Sequence, residues 1–314
     1  MVSTSHKLRP VAVVIGCDDI GSAIAWTLHR AGLAVVLVAA ADPPWARRGM
    51  SYTDAWYVGG ATLEQVDACF CTSVRSVPTV LARGDMIAAT TWSWEGVVTA
   101  LHATVVVETR PGGGRTVAGV RPTMLEDVLA IGVRTTRVGE WRADVVIADA
   151  CEPHIGLRRM TGARVSRSAA ADVRDDTAGN VAADGRLAIH RIDAPHGGRF
   201  RTRREIGERV AVGDTLGEVG TFTAFASYAG VLRGLAARGA RVAVGQTLIE
   251  IDPLGEASYC FGIAAEPRAI AHRVSAAIRR AQQRSTSPSI ARTHGDERPP
   301  LAAPRVLARA VAKS

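Results

Sequence analysis

The residues best placed to do chemistry sit in one turn near the start of the chain, Gly16-Cys17-Asp18-Asp19-Ile20-Gly21-Ser22. A dinucleotide-binding turn carries glycines at its first, third and sixth positions. They let the backbone approach a pyrophosphate at a helix N-terminus. The first and last glycines, Gly16 and Gly21, are present; the middle position is Asp18. A carboxylate there has the same sign as the ligand. At about 4 Å the repulsion is roughly 1 kcal/mol in water and about 4 kcal/mol near a protein surface. Asp18 or Asp19 can instead cap the following helix and satisfy its orphan N–H groups. Two readings stay open: a capped structural turn, or a modified nucleotide or anion site built from Gly16, Asp18, Asp19, Gly21 and Ser22.

Further candidates lie downstream. The pair Arg47-Arg48 can bind phosphate from the loop after the second strand, or can be a solvated charge pair. Ser51 and Tyr52 follow it, as pocket lining or as packing. That second strand ends Val38-Ala39-Ala40-Ala41-Asp42, without the acid that normally holds ribose hydroxyls. The loop Arg110-Pro111-Gly112-Gly113-Gly114-Arg115 can cradle an anion, but no Lys-Ser or Lys-Thr helix start follows, so it is no P-loop. Cys69 and Cys71 share one strand face with no second Cys/His pair at ligand spacing, so no metal site is assigned. The eight histidines are scattered and form no nucleophile–base pattern, so no catalytic group is named.

Hydrophobic patterning supplies the elements that must hold these residues. Val11 to Ile15 is a continuous apolar run ending at Gly16, as a strand buried on both faces should be. Ile20, Ile24 and Leu28 keep helical spacing and Gly32 closes that helix. Leu33 to Ala40 is a second strand, which completes a βαβ unit. Thr104–Val107 and Asp144–Ile147 extend the sheet, whereas Met124–Ile131 fits helix or strand. Residues 161–188 read as a polar linker. From 189 an internal repeat begins: shifted by 32 positions, 12 of the 26 residues from Ala194 to Val219 match their partners. Arg209-Val-Ala-Val-Gly213 falls on Arg241-Val-Ala-Val-Gly245. The expected organisation is a disordered start (1–10), a parallel α/β domain (11–160), the linker, a β domain of two similar halves (189–265), a closing helix (266–283) and a basic disordered tail (284–314).

Composition narrows the function. The chain has 314 residues, of which 47% are hydrophobic and 22% charged. That suits two domains with buried cores. No apolar run reaches membrane-span length and no secretory leader is seen, so a cytoplasmic protein is expected. Net charge is +8, of which the stretch from Arg279 to Ser314 carries +6. A near-neutral body with 5% aromatics argues against nucleic acid as a partner. Five cysteines, an odd number in mostly apolar stretches, suit free thiols in a reducing compartment. The only lysines are Lys7 and Lys313, so the repeat region cannot carry lysine-linked biotin or lipoate.

Several segments together fit one family: Gly230-Val-Leu-Arg-Gly-Leu235, Leu248-Ile-Glu-Ile-Asp-Pro253, Cys260-Phe261 with Arg268-Ala-Ile270, Leu28-His-Arg-Ala-Gly32, Arg47-Arg48 and Ser51-Tyr52. From about residue 11 to 280 the chain resembles the YqeB-type proteins, accessory proteins of often selenium-dependent molybdenum hydroxylase systems. They look related to xanthine dehydrogenase accessory proteins through a Rossmann-like domain. The resemblance implies a Rossmann-like parallel sheet domain followed by an all-β barrel-sandwich (biotinyl/lipoyl-like) domain without the lysine. It implies a role in maturing a molybdenum hydroxylase, with molybdopterin or a nucleotide held non-covalently. The implied partners are the hydroxylase or its assembly proteins, and a homo-oligomer stays open. The chain departs from the family pattern at Asp18 (Asp19 is kept), at Ala39 in place of an acid, at Gly132–Arg137 and at Cys151–His154. All four changes fall at ligand-facing ends of strands, as in a divergent paralogue with an altered site.

The expected function is therefore an accessory protein rather than an enzyme, the alternatives being an NAD(P)-dependent oxidoreductase and a scaffold with a vestigial nucleotide site. If charge repulsion governs the first turn, Asp18→Gly tightens nucleotide binding in calorimetry; equal or weaker affinity refutes the repulsion.

Overall fold

The computed structural model describes residues 9–73, 75–110, 123–134, 137–138, 141–148 and 189–286. The disordered start apart from residues 9 and 10, the 161–188 linker, Gly112 to Gly114, Cys151 and His154, and the tail beyond 286 lie outside them.

The first unit runs β1 (Val11–Ile15), α1 (Asp19–Arg30), β2 (Ala34–Val38), α2 (Ala55–Val58), β3 (Gly60–Leu63), β4 (Val66–Phe70), α3 (Ser76–Arg83), β5 (Met86–Thr90), α4 (Trp94–Leu101) and β6 (Val105–Glu108). It continues through β7 (Leu129–Val133), the short pair β8 (Arg137–Val138) and β9 (Trp141–Arg142), and β10 (Val145–Ile147). Eight strands form one sheet in the order β10-β7-β6-β1-β2-β5-β4-β3, parallel except for the edge strand β3. Met124–Ile131 resolves into a single 3₁₀ turn, Thr123–Leu125, and the start of β7. Cys71 lies just past the end of β4.

Because successive side chains in a strand alternate faces, β1 serves two cores. Ala12 and Val14 join α1 and α2 on one face; Val13 and Ile15 join α3 and α4 on the other. Both faces are covered, which is why the strands read as unbroken apolar runs. The chain leaves β1 toward β2 on one side and later returns to β6 on the other. That reversal opens a crevice beyond the carboxyl ends of β1 and β6.

The second unit has eight strands: β11 (His190–Asp193), β12 (Gly198–Arg201), β13 (Arg209–Val210), β14 (Thr215–Val219), β15 (Phe222–Phe225), β16 (Gly230–Leu235), β17 (Arg241–Val242) and β18 (Thr247–Asp252). Each of the first four begins 32 residues before its counterpart among the last four. They form two four-stranded antiparallel sheets, β11-β18-β16-β13 and β15-β14-β12-β17. The repeat converts one order into the other, so each sheet takes strands from both halves. Phe200, Leu216, Leu232 and Leu248 fill the shared core, each at most 1% exposed.

After β18 the chain returns to the first unit. The helix α5 (Ala265–Thr286) places Ile270, Val274, Ala277 and Ile278 in the same core as Ile20, Ile24 and Leu28 of α1. Arg268 bonds Glu64 in the β3–β4 turn and lies 5.5 Å from the Trp26 ring centroid. The closing helix thus completes the first unit rather than ending the second.

The segment after β2 straps the units together. Leu235 N–H donates to the Ala46 carbonyl at 2.8 Å, and Arg48 Nε donates to the Leu235 carbonyl at 2.8 Å. Arg47 Nε donates to Glu250 Oε2 at 2.6 Å. Glu250 is 5% exposed, whereas its repeat partner Glu218 is exposed. Glu250→Gln is therefore expected to destabilise the chain by about 2 kcal/mol, since it removes the nearer of the two counter-charges of the partly buried Arg47 and leaves Asp19 alone to balance it. Glu218→Gln should stay within about 0.5 kcal/mol of the parent. Denaturant midpoints of the two variants test this; equal midpoints count against it.

Candidate functional site

A cavity of about 530 Å³ opens at the carboxyl ends of β1, β2 and β6, with Arg191, Thr247 and Glu250 of the second unit as its opposite wall. Gly16, Cys17 and Asp18 form its floor, and Ala39, Ala40 and the Pro43–Arg47 segment line one side.

The floor is fixed by steric necessity. Gly16 has φ +118°, and a Cβ there would lie 2.2 Å from Thr109 Oγ1. A Cβ on Gly21 would lie 2.2 Å from the Gly16 carbonyl oxygen. The two glycines let helix and strand approach each other, independently of any ligand. Between them Asp18 takes the N-cap position of α1, its Oδ1 accepting from Gly21 N–H at 2.7 Å. The capped-turn arrangement is what the residues adopt. Ser22 is fully buried; its hydroxyl donates to the Cys17 carbonyl at 3.0 Å and accepts from Tyr52 N–H at 2.9 Å. Neither Ser22 nor Gly21 lines the cavity, and both act behind it as packing.

The arginines are divided. Arg47 lines the cavity and bridges two carboxylates, Asp19 at 3.3 Å and Glu250 at 2.6 Å. Its guanidinium pKa rises despite burial, because hydrogen bonds and charge from Glu250 and Asp19 outweigh desolvation. Arg48 faces away, bonded to Asp54 and to the Leu235 carbonyl. Ser51 and Tyr52 are buried as packing, 2% and 0% exposed. Two cavity arginines come from elsewhere. Arg110 makes a two-pronged pair with Glu108, at 2.8 and 2.7 Å, and Arg191 donates to Glu250 at 3.2 Å. Both guanidiniums are about half exposed, whereas Glu108 is fully buried.

Glu250, Arg191 and Trp45 join the cavity only in the folded chain. Glu250 had a signal, a charge inside the apolar strand Leu248-Ile-Glu-Ile; Arg191 had none. Trp45, flanked by Pro44 and Ala46, is half-buried, and its indole N–H is buried without a partner among the described residues.

Burial pushes the Cys17 thiol up to about 12, which leaves it protonated and un-nucleophilic near neutrality. Among the described residues, no histidine lines the cavity. Among the described residues, no group of three or more His, Cys, Asp or Glu residues could hold a metal ion. None of their helices is long and apolar enough to cross a membrane.

No family model matches the chain, and no solved structure matches it. The chain is similar to YqeB. This is the uncharacterized protein YqeB of Escherichia coli (strain K12), 25% identical over 290 residues. The match covers 88% of this chain and 49% of YqeB, so the chain spans about half the length of that relative.

Desolvation raises the Asp18 carboxyl from 3.8 to about 6, with the Asp19 charge adding to it and the Gly21 N–H opposing it. Between about pH 4 and pH 6 the folded chain then holds a proton that the unfolded chain has released. Asp18 therefore makes stability fall as pH rises through that window. Asp18→Asn keeps a capping side chain and removes the titration. Denaturant midpoints at pH 4 and pH 7 should show the parent losing more stability than the variant; parallel profiles contradict this.

Proposed function

We propose that this chain is a YqeB-type accessory protein of a molybdenum hydroxylase system, binding cofactor or apo-enzyme in the cleft between its two units without covalent carrier chemistry. In this reading the first unit is Rossmann-like. The second is a barrel-sandwich unit of the biotinyl/lipoyl kind, without an attachment lysine. One observation carries the proposal: the crevice of a doubly wound sheet is kept open and faced by a second unit, yet its thiol is masked and its charges are paired with one another. That suits holding a ligand and handing it on. The similarity to YqeB over most of the chain supports the family reading, and the molybdenum role rests on the family resemblance.

The residues fit a flat heterocyclic head, such as that of molybdopterin, better than a diphosphate. Trp45 and Pro44 offer an apolar wall and Thr247 a hydroxyl. The place where a phosphate would meet the helix is taken by the Asp18 cap. Bound molybdopterin supplies the dithiolene that chelates molybdenum; Trp45, Pro44 and Thr247 would hold and orient it. Affinity purification of the tagged chain from its native host tests the role. A molybdenum hydroxylase or one of its assembly proteins should be identified among the partners, and partners unrelated to molybdenum enzymes defeat the proposal. Calorimetry with NAD(H) and NADP(H) separates the oxidoreductase alternative. Micromolar binding weakened by Asp19→Ala favours that alternative.

A further inference from the structure

We propose that a second cavity, which shares no lining residue with the cleft, binds a free α-amino acid with an apolar side chain. It has a volume of about 800 Å³ and lies between the outer face of β16 and β18, the 3₁₀ turn Ala257–Cys260 and the start of α5.

An unfinished ion pair gives the first reason. Leu232 pairs with Ile251 and Gly234 with Glu250, so Arg233 is the extra residue of a bulge in β16. A bulge re-aims its side chain. Leu232 and Leu235 stay in the core of the second unit, while Arg233 lines the cavity. Its Nε is buried without a hydrogen-bond partner among the described residues. Its ion contact, Asp252 Oδ2 at 3.7 Å, is beyond hydrogen-bond reach. Asp252 ends β18, and its Oδ1 accepts from Leu254 N–H at 3.1 Å, which leaves Oδ2 toward Arg233. A Cβ on Gly255 would lie 2.7 Å from Asp252 Cγ, so the turn closes over this carboxylate only with glycine. Guanidinium and carboxylate thus stand side by side, each with bonding capacity unspent.

Charge balance gives the second reason. Arg233 and Asp252 are the charged side chains of the described lining, and they sum to zero. Residues before Ile189, which also lines the cavity, lie outside that description. The charges beside the lining in the chain are matched elsewhere: Arg48 by Asp54, Arg268 by Glu64 and Glu266 by Arg134. A lone anion or a lone cation meets one like charge here. A zwitterion satisfies both, its carboxylate on Arg233 and its ammonium on Asp252. Charges this close together match a ligand that carries both on one carbon, as an α-amino acid does.

The rest of the lining suits an apolar side chain. Met50, Leu254, Tyr259, Phe261 and Ile263 surround the pair. Leu254, Tyr259 and Phe261 are each more than half exposed, an uncovered apolar rim beside a polar pair. Arg233, Asp252 and Phe261 also fall in three of the segments that carry the family resemblance, and the cleft makes no use of them.

Calorimetry on the full chain tests this with leucine and phenylalanine. Controls are 3-phenylpropionate, which lacks the ammonium, and phenethylamine, which lacks the carboxylate. At least one of the two amino acids should bind with a Kd below about 1 mM. Both one-ended analogues should bind about ten-fold more weakly or worse, because each leaves one member of the pair unmet. Arg233→Gln and Asp252→Asn should each cost about ten-fold, and Asn keeps an acceptor for Leu254 N–H. Tyr259→Ala changes an exposed side chain, and it should weaken phenylalanine by about three-fold even if the other two variants fail to fold. If 3-phenylpropionate binds as tightly as phenylalanine, the site is one for carboxylates and the amino-acid class is wrong. Binding that a folded Arg233→Gln variant leaves unchanged lies elsewhere and overturns the inference. It is equally overturned if neither amino acid binds, and none of these outcomes touches the reading of the cleft.

Discussion

Arg47 is the residue on which the arrangement of the two units turns. Its guanidinium reaches back to Asp19 at the first turn of α1 and across to Glu250 in β18. One side chain thus ties the start of the first helix to the centre of the second unit. A pair of this kind is a weak source of net stability, because desolvating the charges offsets their attraction. Its value is geometric. Breaking it leaves charge stranded in a poorly solvated place, so the units are held at one separation and the cleft between them keeps one width.

The first turn serves the same end. Gly16 and Gly21 survive because helix and strand touch through them, not because a pyrophosphate must approach. Asp18 supplies from within the chain the negative charge that a phosphate would otherwise bring to the helix N-terminus. The helix N-terminus is thereby occupied from within the chain, while the cavity beyond it stays open. Ala39, Ala40 and Trp45 give that open part an apolar side.

Much of this was legible in the sequence, and the boundary of legibility has a physical cause. The apolar run Val11–Ile15, the spacing Ile20-Ile24-Leu28 and the 32-residue repeat are local or periodic signals, and local signals survive reading along a line. The repeat even carries the strand spacing, since His190 and Phe222, or Thr215 and Thr247, open equivalent strands. Met124–Ile131 could not be resolved, because a short apolar stretch is equally compatible with helix and strand. Ser22 and Arg48 looked like ligand contacts from their neighbours but face inward, because only the fold shows which side of a turn is the cavity. Arg47 and Glu250 lie 203 positions apart, and no pattern along the chain announces such a pairing.

The position of α5 bears on how the molecule is made. Ile20, Ile24 and Leu28 of the first helix are covered by Ile270, Val274 and Ile278, which emerge from the ribosome some 250 residues later. Until then the nascent first unit carries an uncovered greasy stripe, and its sheet is only half upholstered. The β unit must therefore be synthesised before the opening βαβ segment can finish burying itself. Covering of the first helix is therefore a late step in the making of the first unit.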